Sequence, residues 1–274
     1  YQFDWSRRPN GLTRSRYPSR VAQTIPLFSL HWILAIEDYW HYTGDVETVR
    51  DLAPGIRAVV DYYRRRINAS GVVGVVPGWM FADWSPDWPF EQNQNGVAPG
   101  ATHGRSSLVS LMTAAAMRSA AALLSASGED GSDVLAGADR LSRAAHALYF
   151  DQERGLYRDT PDGRTYSAYA NVWAILSGAP CDHGRLAEAI AEGRGLGRLT
   201  MCSTYCAWRS LAAAGRYDLA ERLMGPWREM LAMGVTTWVE CLHRPRSECH
   251  AWGCGPMIDR SEERRVGKEC RSRW

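Results

Sequence analysis

The stretch Pro26-Leu-Phe-Ser-Leu-His-Trp-Ile-Leu-Ala-Ile-Glu-Asp-Tyr-Trp-His-Tyr-Thr-Gly44, with the run from Asp45 to Ile67 behind it, decides the fold. Proline is tolerated at the first position of a helix, where its missing N–H has no partner to lose, and glycine ends one, so a helix is predicted from Pro26 to near Gly44. Its apolar residues, Leu27, Phe28, Leu30, Trp32, Ile33, Leu34, Ile36, Tyr39 and Trp40, point in nearly every direction, so the helix is expected to be buried all round. Asp45 is a suitable cap for the next helix. There Val49, Leu52, Ile56, Val59, Val60, Tyr63 and Ile67 recur every three or four residues with Arg and Asp opposite. That helix has one wet face and is expected to bend or split at Pro54.

The same alternation runs on down the chain. Ser106 to Ser127, nearly uncharged and full of Ala, Leu and Met, reads as buried on all sides, and Asp133 to Leu148 as one-sided. Tyr166 to Leu176 is buried in character, Arg185 to Glu192 one-sided, Met201 to Ala214 buried, and the stripe Leu219, Leu223, Trp227, Met230 and Leu231 one-sided. A flat bundle has no reason to alternate in this way four times, but two concentric rings of helices do. A double ring of helical hairpins is therefore the expected fold. Strand signals are confined to Gly71-Val-Val-Gly-Val-Val76 and Asp151 to Asp159, which are too brief for more than short hairpins. Buried helices start at irregular intervals, near 26, 106, 166 and 201, which argues against a solenoid. Tyr1 to Thr24, rich in Arg, Pro, Gly and Ser, reads as an extended loop with a turn at Asn10-Gly11.

The chain has 274 residues, 45% hydrophobic and 23% charged, enough for a sizeable core. No uninterrupted apolar run approaches the roughly 20 residues of a bilayer span, so no membrane partner is expected. Arg260 to Trp274 reads as a non-native, adapter-derived tail and is set apart, leaving residues 1–259 as a single domain. Those 259 residues hold 26 basic and 27 acidic side chains, and nothing in them suggests nucleic-acid binding. Seven cysteines without a CxxC pair read as reduced thiols, which favours the cytoplasm. Cys241, His243, Cys249, His250 and Cys254 cluster, but their spacing fits no standard ligand pattern, so neither metal nor cofactor is expected.

Two loops carry the chemistry. The first, Pro77 to Asn95, holds Trp79, Asp83, Trp84 and Trp88 with several amides; the second, Gly234 to Pro256, holds Trp238, Glu240, His250 and Trp252. Tryptophan faces stack on the CH surfaces of sugars, while carboxylates and amides bind hydroxyls. Each residue also has a plain structural reading: a tryptophan as packing, a lone glutamate as a surface or capping residue, a histidine as a hydrogen-bonded core group. The coincidence of five tryptophans, Asp83 and Glu240 in two loops tips the balance toward a binding site.

Phe81-Ala-Asp83-Trp84, the helix end Ile36 to Asp45, Thr236-Thr-Trp-Val-Glu240 and Ser247-Glu-Cys-His250-Ala-Trp252-Gly resemble the six-hairpin catalytic domain of bacterial α-L-rhamnosidases over nearly all of Tyr1 to Asp259. The resemblance implies an all-α (α/α)6 toroid, here incomplete, in an inverting glycosidase acting on rhamnose-containing glycosides. It implies Glu240 as general base, and Trp32, Asp83, Trp84 and His250 as lining the sugar pocket. Trp238 and Trp252 join them from composition. It further implies accessory β-domains in the parent chain. The family's general acid lies in an Asp- and Arg-rich motif ending in Gly-Asp, and no such motif occurs here. The expectation is a fragment lacking the first hairpin and the acid, inactive alone and exposing one side of the helix from Leu27 to Trp40. Two other readings stand beside it: another enzyme on the same toroid, glucoamylase-like or a disaccharide hydrolase or phosphorylase, and a helical-repeat scaffold whose Trp-rich loops grip a protein.

Overall fold

A computed structural model of the chain describes residues 1–88, 94–240, 242 and 247–256. Short helix α1, Gln2–Trp5, opens a segment otherwise as extended as expected, and Gly11 turns at φ 97°. Helix α2, Pro26–Thr43, starts on its proline and stops at Gly44, which takes the left-handed conformation that glycine adopts at least cost. Helix α3, Val46–Arg64, is capped by the Asp45 carboxylate, which accepts from the Thr48 amide. Pro54 lies inside this one helix and does not split it. Helices α4, Ser107–Ser127, and α5, Ser132–Tyr149, form the second hairpin. Strands β1, Phe150–Asp151, and β2, Leu156–Tyr157, make the small antiparallel hairpin that leads to α6, Ala168–Leu176. Helix α7, His183–Glu192, α8, Met201–Ala213, a 3-10 segment Tyr217–Met224 and α9, Gly225–Ala232, complete the order.

The all-round apolar helices are the inner ring. Helix α2 packs on α4, α4 on α6, and α6 on α8, while α3, α5, α7 and the Tyr217–Met224 segment pack outside them. The inner helices run the same way. At one end the first turns of α4 and α6 meet through Asp159, whose backbone oxygen accepts from Ser107 N and whose carboxylate accepts from Ser167 N. At the other end Arg118 on α4 donates to the Ser177 carbonyl after α6, and Arg209 on α8 pairs with Asp38 on α2. Four helix N-termini therefore face one end of the ring, where their partial positive charge favours carboxylates.

Helix α4 buries more residues than any other helix, Leu108, Leu111, Met112, Met117, Ala120 and Leu124 among them. It is also long and apolar enough to span a bilayer, although Ser and Thr interrupt its apolar run, yet 89% of its most apolar stretch is buried inside the protein. Helix α2 departs from all-round burial. Tyr39 and Tyr42 face solvent, and Ala35 is exposed on the face that lines the cavity described below. Leu135 and Leu231, assigned by their spacing to buried stripes, are also exposed. The segment from 257 to 274, including the tail set apart above, lies outside the described residues.

Candidate functional site

The Trp-rich loop folds over the N-terminal end of the ring. Gly96 lets it close: a Cβ there would meet the Phe81 ring at 2.5 Å, and φ of +71° suits glycine. Phe81 packs at a tilt against Trp84 at 4.6 Å and Trp79 at 4.9 Å, and Trp88 against Tyr169 of α6 at 4.5 Å. Asp83 is buried beneath them. Its carboxylate accepts from Tyr169 OH on α6 at 2.8 Å, from Thr200 Oγ1 and Ser203 Oγ at the start of α8, and from the Trp84 amide at 2.7 Å. It anchors the loop to two inner helices, rather than facing the sugar pocket as the resemblance implies.

The second loop doubles back on itself. The Glu240 amide donates to the Ser247 carbonyl and the His250 amide to that of Trp238. Gly253 allows the close approach that follows, since a Cβ there would lie 2.8 Å from that of Trp238, and its carbonyl accepts from Trp227 Nε1. This pairing sets Glu240 Oε1 3.8 Å from His250 Nε2, with the carboxylate side chain only 13% exposed. His250 lies 6.2 Å from Trp252, and Trp252 5.6 Å from Phe28, which in turn meets Phe81 at 6.1 Å. Two loops far apart in the sequence thus share one aromatic floor. Cys241 and His243, members of the thiol and imidazole cluster noted in the sequence, lie outside the described residues.

Inside the ring is a cavity of about 550 Å³, within the range of small-molecule sites. Its upper wall holds His31, Tyr169, Trp173, Cys202, Ser203 and Trp252; its deep end holds Glu37, Asp38, Arg118, Ser119 and Arg209. The deep charges are mutually satisfied, Glu37 accepting from Ser119 Oγ at 2.6 Å and Asp38 from Tyr205 OH at 3.1 Å and from Arg209. Burial pushes the Cys202 thiol well above its ordinary range, and the Asp83, Cys206 and Glu240 charges add to the effect. The Glu240 charge thus acts on a thiol of the cavity wall, although Glu240 is not itself a lining residue. Burial likewise pushes Cys206 up to about 12, so neither thiol is a nucleophile at neutral pH.

Of the residues singled out from sequence, the structure places Trp252 on the cavity wall, with His250 beside it and Glu240 beside His250, and Trp238 half-buried on the same loop. Trp84 belongs to the aromatic floor through Phe81. Trp32 is placed elsewhere: 8% exposed, it lies under the Arg7 guanidinium, because successive helix positions point about 100° apart and His31 takes the cavity side. His31, Tyr169, Trp173 and Ser203 were not singled out. His31 alone carried a signal, as an imidazole in the most apolar run of its helix, Leu30 to Ile36.

A model of the bacterial α-L-rhamnosidase six-hairpin glycosidase domain matches residues 2–258. Among solved structures, a GH78 family rhamnosidase of Bacillus sp. GL1 superposes with a TM-score of 0.78 at 24% identity, over 92% of this chain and 28% of its own. A rhamnosidase from Klebsiella oxytoca with rhamnose bound gives 0.74 at 19% identity, over 91% of this chain and 50% of its own. A GH63 mannosylglycerate hydrolase from Thermus thermophilus gives 0.66 at 14% identity, over 95% and 86%. These likenesses show the all-α toroid. This chain spans about a quarter to a half of the two rhamnosidases. No match is found among curated protein sequences.

Proposed function

This chain belongs to the bacterial α-L-rhamnosidase six-hairpin glycosidase family, and from that premise we propose that its cavity binds the terminal rhamnose of an α-L-rhamnoside, with Glu240 as general base of an inverting hydrolysis. The observation that supports this reading is the position of Glu240: a nearly covered carboxylate beside His250, on the loop whose Trp252 lines an aromatic-walled cavity where four helix N-termini converge. A carboxylate so placed can take a proton from water as the water attacks the anomeric carbon, and His250 holds it in orientation. Inversion needs a second carboxyl roughly 6.5 to 9.5 Å away to protonate the leaving oxygen. The described carboxylates that line the cavity, Glu37 and Asp38, are held by Ser119, Tyr205 and Arg209, and Asp83 is held by its three hydroxyl donors. We assign the acid to none of them but to a part of the parent protein beyond these 274 residues, as we do the accessory β-domains; the chain alone then binds sugar without hydrolysing it.

The test is Glu240→Gln in a parent-length enzyme carrying this domain. Turnover of an aryl α-L-rhamnoside is expected to fall a hundredfold or more with binding retained, the usual size of an acid-base contribution. Near-normal turnover removes Glu240 from the mechanism. The GH63 likeness favours one competing reading, a different glycoside on the same toroid, and an aryl α-D-glucoside assayed in parallel separates the two.

A further inference from the structure

We propose that His31 is a substrate-binding residue of this cavity, its imidazole hydrogen-bonding one ring hydroxyl of the bound sugar and so contributing to which sugar is accepted. The inference rests on the sugar reading of the cavity and deepens it. His31 lies on the face of α2 that lines the cavity, and three aromatic rings surround it, all meeting it edge-on: Trp173 of α6 at 5.9 Å, Phe28 at 6.2 Å and Trp252 at 6.5 Å. No hydrogen bond to its ring occurs among the described residues. An imidazole carries a donor and an acceptor; half-buried on the cavity wall, His31 keeps both for whatever fills the cavity, and a purely structural role gives no reason for the polar atoms.

The surroundings also set the form of the ring. Burial pushes the His31 pKa down to about 4, so at neutral pH it is uncharged, with one nitrogen donating and the other accepting. A sugar hydroxyl both donates and accepts, and matches either nitrogen. The Trp252 face completes the arrangement, because it lies within reach of both His31 and His250. The sugar would then lie between an aromatic face and two imidazoles, with the Glu240 carboxylate beyond the second.

The experiment uses the 274-residue chain and reads intrinsic tryptophan fluorescence during titration with L-rhamnose and its 2-, 3- and 4-deoxy analogues. Wild type, His31→Phe and His31→Gln are compared after near-UV circular dichroism has matched their folds. His31→Phe is expected to weaken L-rhamnose by roughly three- to tenfold, the loss of one neutral hydrogen bond. One deoxy analogue should already show that loss on wild type and lose nothing further on His31→Phe, and His31→Gln should recover part of the affinity for L-rhamnose. Unchanged affinity of His31→Phe overturns the assignment, and so does an equal loss for all four sugars, which marks a structural role. If His31→Phe misfolds, His31→Gln decides: an altered ranking of the analogues supports the assignment and an unaltered one overturns it. Wild type that binds none of the four sugars sinks the sugar reading itself, and this assignment with it.

Discussion

Both carboxylate oxygens of Asp83 are occupied by groups of its own chain: Tyr169, Thr200 and Ser203 hydroxyls on one, the Trp84 amide on the other. Removing them leaves buried donors without an acceptor, and each such group costs about 1 to 3 kcal/mol. Asp83→Ala is therefore expected to lower unfolding stability by about 3 kcal/mol or more in urea denaturation, and Asp83→Asn by less, since an amide still accepts on one atom. If Asp83→Asn unfolds at the wild-type urea concentration yet loses sugar affinity, Asp83 is a ligand and not an anchor. Sequence marked this residue as chemically special because a carboxylate among tryptophans is unusual, and that much was legible. Its partners were not, since the hydroxyls that hold it come from 86 to 120 residues downstream and no local pattern encodes them. Trp32 and His31 show the same limit in reverse. A one-residue step on a helix swings a side chain by about 100°, so an all-apolar helix, having no wet face to give it a phase, does not say which neighbour meets the cavity.

At the scale of single elements the chain was more readable, because caps and periodicity are local: Pro26 and Gly44 bound α2, and Asp45 caps α3. Pro54 does not split α3, as a helix already packed along its length tolerates one lost hydrogen bond. The hairpin between α5 and α6 was legible as a turn but not as an electrostatic clasp. Within it Asp151 accepts from Tyr166 OH at 2.7 Å, from the Glu153 and Arg154 amides at 3.0 and 3.1 Å, and from Arg158 Nη2 at 2.7 Å. The Tyr166 hydroxyl, then the Arg154 amide, then Arg158 hold its pKa far below the ordinary 3.8. A carboxylate depressed on folding stabilises the native state above its unfolded pKa, and that contribution drains away as pH falls from about 4 toward the folded value. Asp151→Asn should accordingly melt below wild type from about pH 7 down to about pH 5, with the gap narrowing steadily as pH drops beneath about 4. A gap that stays constant between about pH 5 and pH 2.5 would show that the clasp acts through shape and not charge.

At the scale of the whole molecule the alternation of all-round and one-sided apolar helices carried the double ring, because the number of buried faces on a helix reports how many layers cover it. What periodicity does not report is which apolar positions stay uncovered; Tyr39 and Tyr42 of α2 face solvent and Ala35 lines the cavity, though all three read as part of an all-round apolar helix. Cooperativity follows from how the rings share elements. Helix α4 touches α2, α3, α5 and α6, so it joins both rings, and Leu111 at its middle is fully buried. Truncating it opens a cavity that four packed neighbours cannot all move to fill, and Leu111→Ala is expected to cost about 2 to 5 kcal/mol. If the domain unfolds as one unit, far-UV circular dichroism and the fluorescence of Trp173, Trp208 and Trp227 will shift together to lower urea with an unchanged slope. If fluorescence from the α6 to α9 side stays in place while part of the helical signal is lost early, α4 is not the shared support, and the two halves of the ring hold themselves up independently.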